Sequence, residues 1–239
     1  MNARPLPTQD DEAWRYSDIE AVARLWPLAA PESVLVPAGG AFERVIAPEG
    51  GVIQLDLVLG KGARAALTLL NAARDYSRIE ISALLHEGAD FSLIAVQIGG
   101  GEATLEIVTT LTHAEPDATS AQTVRMVTGG AATCTFLGKI IVAKDAQHTD
   151  AAQSVKAMLL SETATANAVP QLEIDADDVK CAHGCAVGQL DAAALFYAAA
   201  RGLDPQTARS LLLEAFVAEV CADDTALLVQ ARDALGRVG

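Results

Sequence analysis

Between Val34 and Ile174 the chain repeats one pattern: a short apolar run rich in Val, Ile, Leu and Thr, a small-residue or acidic step, then another such run. The segments Val52 to Leu59, Ala65 to Leu70, Ile79 to Leu85, Phe91 to Gln97, Thr104 to Leu111, Thr123 to Val127 and Cys134 to Val142 read as strands. Several start just after a similar step, Gly88-Ala89, Glu102-Ala103, Asp117-Ala118 and Ala131-Ala132, which sets successive units about 14 or 15 residues apart. A β-sandwich also uses short strands, but at a spacing of roughly 8 to 12 residues and with hairpin dipeptides such as Asn-Gly, which this chain lacks. Strands of fixed period with no helices between them favour a solenoid. In a parallel β-helix each coil stacks on the last and buries a continuous, narrow interior. Abundant Ala and only 4% aromatic residues suit that interior.

Two other regions flank this core. Residues 1–33 form an arm interrupted by Pro5, Pro7, Pro27 and Pro31, with Trp14, Tyr16 and Trp26 as candidate anchors to the body. Asp18 to Leu25 can make two helical turns, with Ile19, Val22 and Ala23 on one face. The β-helix is expected over 34–176, and 177–239 to hold a motif followed by helices. Asp191 can cap a helix that carries Leu195, Phe196 and Ala199 and ends at Arg201-Gly202. Asp204-Pro205 supplies a second N-cap and first-turn proline, followed at helical spacing by Ala208, Leu211, Leu212, Ala215, Phe216 and Val220. A third helix is expected from Asp224 to Leu235. Most of this stripe is expected to bury on the β body or between the helices, leaving residues such as Tyr197 and Arg201 for a partner.

The formal charge of −14 opposes phosphate binding, and no basic stripe or aromatic platform is present, which argues against a nucleic-acid partner. Met1 to Trp14 is polar and acidic, unlike a signal peptide, and no run of 18 apolar residues occurs, so a cytoplasmic protein without a membrane span is expected. In that reducing compartment its four cysteines are expected to be free thiols.

The chemistry concentrates between Asp177 and Asp191, where Cys181, His183 and Cys185 alternate with small residues. Thiolate and imidazole are donors for iron, zinc and copper. In an extended segment the three share one face, with neighbours roughly 6.6 Å apart along the strand, too far to share one ion comfortably. A closed zinc site needs a second ligand pair, yet His86, His113, His148, Cys134 and Cys221 are scattered singly. The set reads as open, with missing ligands supplied by a partner or a transient cluster. The plainer alternative makes Cys181 and Cys185 small buried hydrophobes and His183 a hydrogen-bonded turn residue. A Cys181–His183 nucleophile pair is a further alternative, but it has no oxyanion-hole element and no orienting carboxylate apart from Asp177 and Asp178. Phosphate loops, Gly-x-Ser-x-Gly elbows and His-Glu-x-x-His pairs are absent, and Gly99-Gly100-Gly101 reads as a turn between strands.

The run Phe136-Leu137-Gly138-Lys139-Ile140, then Ala146 to Gln153, Leu159-Leu160-Ser161, Pro170 to Ile174, the DDVKCAHG segment, Gly188, Leu195-Phe196-Tyr197 and Arg201-Gly202 resembles the SufB/SufD family of iron-sulfur cluster assembly proteins over roughly 136–216. Trp14-Arg15-Tyr16-Ser17 is similar to a step near the start of that family, and the Lys-Cys-x-His-Gly form at Lys180 to Gly184 is similar to its SufD branch. The resemblance implies a mainly β fold: a right-handed parallel β-helix with a C-terminal α-helical domain. It further implies a non-catalytic scaffold subunit that pairs with a SufB-like protein through the β-helix ends and docks a SufC-like ATPase through its helices. Leu195, Phe196, Tyr197, Arg201 and Phe216 are the candidate docking residues. His183 and Cys181 match the family motif and would serve, with Cys185 as a possible extra ligand, a transient iron-sulfur cluster or iron at the SufB-like interface. No cofactor is expected to stay bound to the isolated chain, and a homodimer is the expected alternative pairing when it is isolated. The chain departs from the longer relatives in having an arm where they carry an N-terminal helical domain, and in Cys185, which stands where alanine is commoner and reads more readily as a substituted small core residue. A purely structural spacer and a stand-alone metal-dependent β-helical enzyme are the competing readings.

Overall fold

A computed structural model describes residues 5–221 and 225–238. Residues 1–4 of the arm, and Asp224, the expected start of the last helix, lie outside the described residues. The strands are β1 (Glu32–Val36), β2 (Ala41–Ile46), β3 (Gly51–Leu59), β4 (Arg64–Asn71), β5 (Tyr76–Leu85), β6 (Asp90–Gly99), β7 (Thr104–His113), β8 (Thr119–Thr128), β9 (Thr133–Val142), β10 (Asp150–Leu159), β11 (Thr165–Ile174) and β12 (Lys180–Gln189). Consecutive strands fall in opposite sheets: the odd ones form one six-stranded parallel sheet and the even ones another. Each unit seen in the sequence is thus half a coil of a parallel β-helix. The period that favoured a solenoid is the length of chain needed to cross one sheet and turn into the next.

Inward positions of both sheets, such as Leu57, Leu69, Ile81, Phe91, Ile107, Phe136 and Ile140, interdigitate in one continuous core. Successive corners stack through backbone bonds, with Gly62 N–H donating to Glu87 O, Gly88 to Pro116 O, Asp117 to Gln147 O and His148 to Asp178 O. The corner residue is left-handed in four successive coils, with φ of 64° at Gly62 and Gly88 and 62° at Asp117 and His148. Asp and His tolerate that region better than most side chains.

The arm crosses the outer face of the odd-numbered sheet. Helix α1 (Ile19–Leu25) is capped by Asp18, whose side chain accepts from Ala21 N–H at 2.9 Å. Its buried face is Ala21 and Val22, with Ala23 exposed, because the helix lies on Tyr76 and Val52 between the half-buried Trp14 and Trp26. Beneath it Arg78 is fully buried, pairs with Glu106 at 2.5 Å, and stacks its guanidinium 3.8 Å from the Trp14 ring centroid. Ser17 donates its hydroxyl to Glu106 at 2.7 Å, so the arm is tied down by charge as well as by aromatic surface.

After β12 the chain forms α2 (Ala192–Ala200), α3 (Pro205–Cys221) and α4 (Thr225–Leu235). Helices α3 and α4 cover the outer face of the even-numbered sheet, burying Leu213, Val217, Cys221, Leu227 and Ala231 against Leu70, Val96, Ile98 and Val127. The buried stripe of α3 is rotated from the one its spacing predicts: Leu211 and Ala215 face solvent while Leu213 and Val217 are inside. With nearly every turn apolar, periodicity alone does not choose between adjacent faces. The sheet chooses through Arg125, whose guanidinium lies 3.1 Å from Glu219 and 5.8 Å from the Phe216 ring centroid.

Candidate functional site

β12 is the last strand of the even-numbered sheet, and its only pairing partner there is β10. The parallel register sets Cys181 on Ala151, His183 on Gln153 and Cys185 on Val155. Those three β10 residues point into the β-helix and are 1%, 3% and 1% exposed. Alternation along a strand therefore places Cys181, His183 and Cys185 on the inner face too, as the roof of the last coil. The fold brings together the three donors that the spacing singles out. No coil covers them: Cys181 is half-buried against the interior, and His183 and Cys185 are exposed. The turn-residue reading of His183 is excluded, since it sits mid-strand. Cys185 occupies a core-facing register, yet it is solvent-exposed because the stack stops there.

The thiol of Cys181 is pushed up from its ordinary value, first by burial and then by the Asp150 carboxylate. It stays protonated at neutral pH until a metal or a cation displaces the proton. The imidazole of His183 makes no hydrogen bond or ion pair among the described residues, and Asp178, a candidate orienting carboxylate, is turned to His148 Nε2 at 3.3 Å. The Cys-His pair therefore lacks the orientation a nucleophile needs. No group of three or more metal-ligating side chains is gathered closely enough to hold an ion among the described residues. The remaining candidates are dispersed: His113 is buried against the Ser120 hydroxyl at 2.9 Å, Cys134 and Cys221 are buried, and His86 and His148 sit at exposed corners.

The opposite end of the β-helix is finished differently. In the first coil Glu32 and Arg44 face inward from the two sheets and form a two-pronged ion pair at 2.7 and 2.8 Å, with Arg44 5.0 Å from the Phe42 ring centroid. That pair spans the two sheets at the surface of the first coil, with Glu32 exposed and Arg44 partly so. Both coils end on two strand edges, and the last carries the row of candidate donors where the first carries the ion pair. Pro170 lies in β11, where only an edge strand readily tolerates it.

Four of the five candidate docking residues cluster. Phe196 and Tyr197 on α2 are 77% and 60% exposed, Leu195 is half-buried, and Arg201 lies 4.9 Å from the Tyr197 ring centroid. Phe216 stands apart, half-buried on the even-numbered sheet. Helix α2 buries none of its residues, although its sequence AAALFYAAA is wholly apolar. Sequence reasoning passed over Gln153, a buried amide directly under His183. The available signal was its place in the inward-facing set Ala151, Gln153, Val155, where an amide interrupts small apolar residues.

Comparison with known proteins agrees with this geometry. The sequence profile described as the SUF system FeS cluster assembly, SufBD core domain, matches residues 52–216. An iron-sulfur cluster assembly SufBD family protein of Synechocystis is 33% identical over 162 residues, 67% of this chain and 36% of that protein. The chloroplastic protein ABCI7 of Arabidopsis thaliana is 47% identical over 85 residues, 36% of this chain and 18% of its own. The iron-sulfur cluster assembly protein SufD of Escherichia coli is 42% identical over 85 residues, 36% of this chain and 20% of its own. The chain thus spans about a third or less of the length of these relatives. With the profile covering more than half of its residues, the chain belongs to the SufBD family of SUF-system iron-sulfur cluster assembly proteins.

Proposed function

We propose that the chain is a non-catalytic, SufD-like scaffold subunit that presents His183 and Cys181, with Cys185 beside them, to a SufB-like partner seated on the open end of the β-helix. One observation carries this reading: the last coil is roofed by an uncovered row of soft donors, while the corresponding positions of the first coil hold an ion pair. Unpaired strand edges invite another strand, so covering β11 and β12 satisfies their backbone and completes the ligand set together. The cargo is a nascent iron-sulfur cluster or iron, held between subunits, since donors spaced along one strand hold an ion poorly by themselves. Without that partner, a second copy of the chain can cover the same edges, which would give a homodimer.

The apolar, exposed α2 supplies the second contact, for a SufC-like ATPase, through Leu195, Phe196, Tyr197 and Arg201. Phe216 would act from behind, through α3. Free cysteines and the absence, among the described residues, of any helix long and apolar enough to cross a membrane accord with work in a reducing cytoplasm. Replacing His183 by alanine should shift folding stability by no more than about 0.5 kcal/mol, as for an exposed residue. Copurification with the ATPase should persist while cluster assembly in cells falls. Undiminished assembly would remove His183 from the mechanism. If Cys181 also proved dispensable while α2 did not, the chain would be a structural spacer.

A further inference from the structure

An imidazole that binds a metal almost always donates its second ring N–H to a carbonyl, carboxylate or water, which fixes the tautomer and orients the ring. His183 has no such acceptor engaged among the described residues. One strand below it, in register, Gln153 is 3% exposed, and both its carboxamide oxygen and its nitrogen lack a partner. Leaving such a group unpaired is destabilising, so an amide at this point in an apolar column needs a reason. Same-face residues on neighbouring strands start about 4.8 Å apart, within reach of a glutamine amide and an imidazole. The next amide down shows the engaged state: the oxygen of Gln122, in register with Gln153, accepts the Thr109 hydroxyl at 2.7 Å. Room for the Gln153 amide comes from across the interior, where a Cβ on Gly138 would lie 2.7 Å from its Nε2.

We propose that Gln153 is a positioning residue for His183: its carboxamide oxygen accepts a ring N–H of the imidazole turned in over the last coil, leaving the other nitrogen bare for the metal. The inference rests on the reading of His183 as a donor, but the hydrogen bond belongs to the chain alone and needs neither iron nor partner.

The test is nitrogen-15 NMR of the full chain labelled at its four histidines, with His183 assigned by its disappearance in His183→Ala. The spectra are recorded at about pH 8, above the ordinary histidine pKa of about 6.5. The wild-type spectrum should show one His183 nitrogen at a protonated shift and the other at a bare shift, the mark of a single tautomer. Gln153→Met, which keeps the volume and removes the acceptor, should draw the two shifts together as the tautomers interchange. Gln153→Glu, which keeps an acceptor oxygen, should restore the separation. A tautomer-averaged ring in the wild type, or identical His183 shifts in wild type and Gln153→Met, would overturn the proposal, and the wild-type measurement decides even if a variant fails to fold. Failure here leaves the role of His183 in assembly standing. Conversely, undiminished assembly in His183→Ala would remove that role without touching the hydrogen bond.

Discussion

At Gly138 the interior has no room for a side chain, and its absence is a packing requirement. A Cβ there would overlap the Phe136 ring and crowd the Gln153 amide. Gly138→Ala should therefore lower stability by about 1–3 kcal/mol in chemical denaturation, as overpacking does; an unchanged midpoint would show that the interior yields more than these contacts imply. His113 is a second residue with a defined cost. Burial pushes its imidazole pKa down to about 4. Between the unfolded value of about 6.5 and that folded value the unfolded chain binds the extra proton, so stability is full above pH 6.5 and falls as the pH drops toward 4. The lost contribution is about 3 kcal/mol by that shift. His113→Gln should flatten the pH dependence of the denaturation midpoint over this window, and equal slopes in the two proteins would contradict the assignment. At this scale the donor row was legible because alternation in a strand fixes a face from spacing alone. Gln153 was not, because its importance comes from the residue in register on the next coil, a contact that joins positions thirty apart and leaves no local pattern.

Elements show the same division. The seven strands read from apolar runs are all present, extended at their ends by polar residues that continue the pairing, such as Thr119 and Asp90, whose side chains hydrogen-bond to each other at 2.8 Å. Strands β10 and β11 were less evident as strands because their inward sets mix Ala, at Ala151, Ala157, Ala166 and Ala168, with Gln153 and Pro170, none of which favours a strand. In the arm, Trp14 is an anchor whose partner, the buried Arg78, no linear reading could supply. Trp14→Ala should cost about 2 kcal/mol or more of local stability, given a desolvated cation–π contact, and should speed tryptic cleavage at Arg15; an unaltered digestion rate would detach the arm's order from Trp14. Helix α2 makes the opposite case, an apolar element that the fold leaves uncovered. Replacing Phe196 and Tyr197 with serine should change the unfolding midpoint little, since neither is buried, while abolishing copurification with the ATPase subunit. Retained copurification would move the docking surface elsewhere.

For the whole molecule, the decisive feature is that the two ends of one solenoid are unlike. Repeat proteins need their terminal units capped, because each coil satisfies only its neighbours. Here both ends present strand edges, and they differ in the side chains set over them: an exposed ion pair of Glu32 and Arg44 on the first coil, and Cys181, His183 and Cys185 on the last. Charge at one end and soft donors at the other give the two ends different partners to suit, and the proposed assembly site lies at the last coil. Sequence period was enough to specify the solenoid, but the asymmetry of its ends emerges only when both sheets are assembled and the inward register of each terminal strand is known. Isotope-coded alkylation of the four cysteines, in the isolated chain and in the complex copurified from cells, tests this account most directly. Cys134 and Cys221 are buried and serve as internal references. The account predicts that Cys185 reacts rapidly in the isolated chain, Cys181 more slowly, and that both become protected in the complex. Equal reactivity of Cys185 in the two states would show that the open end is not the seam between subunits.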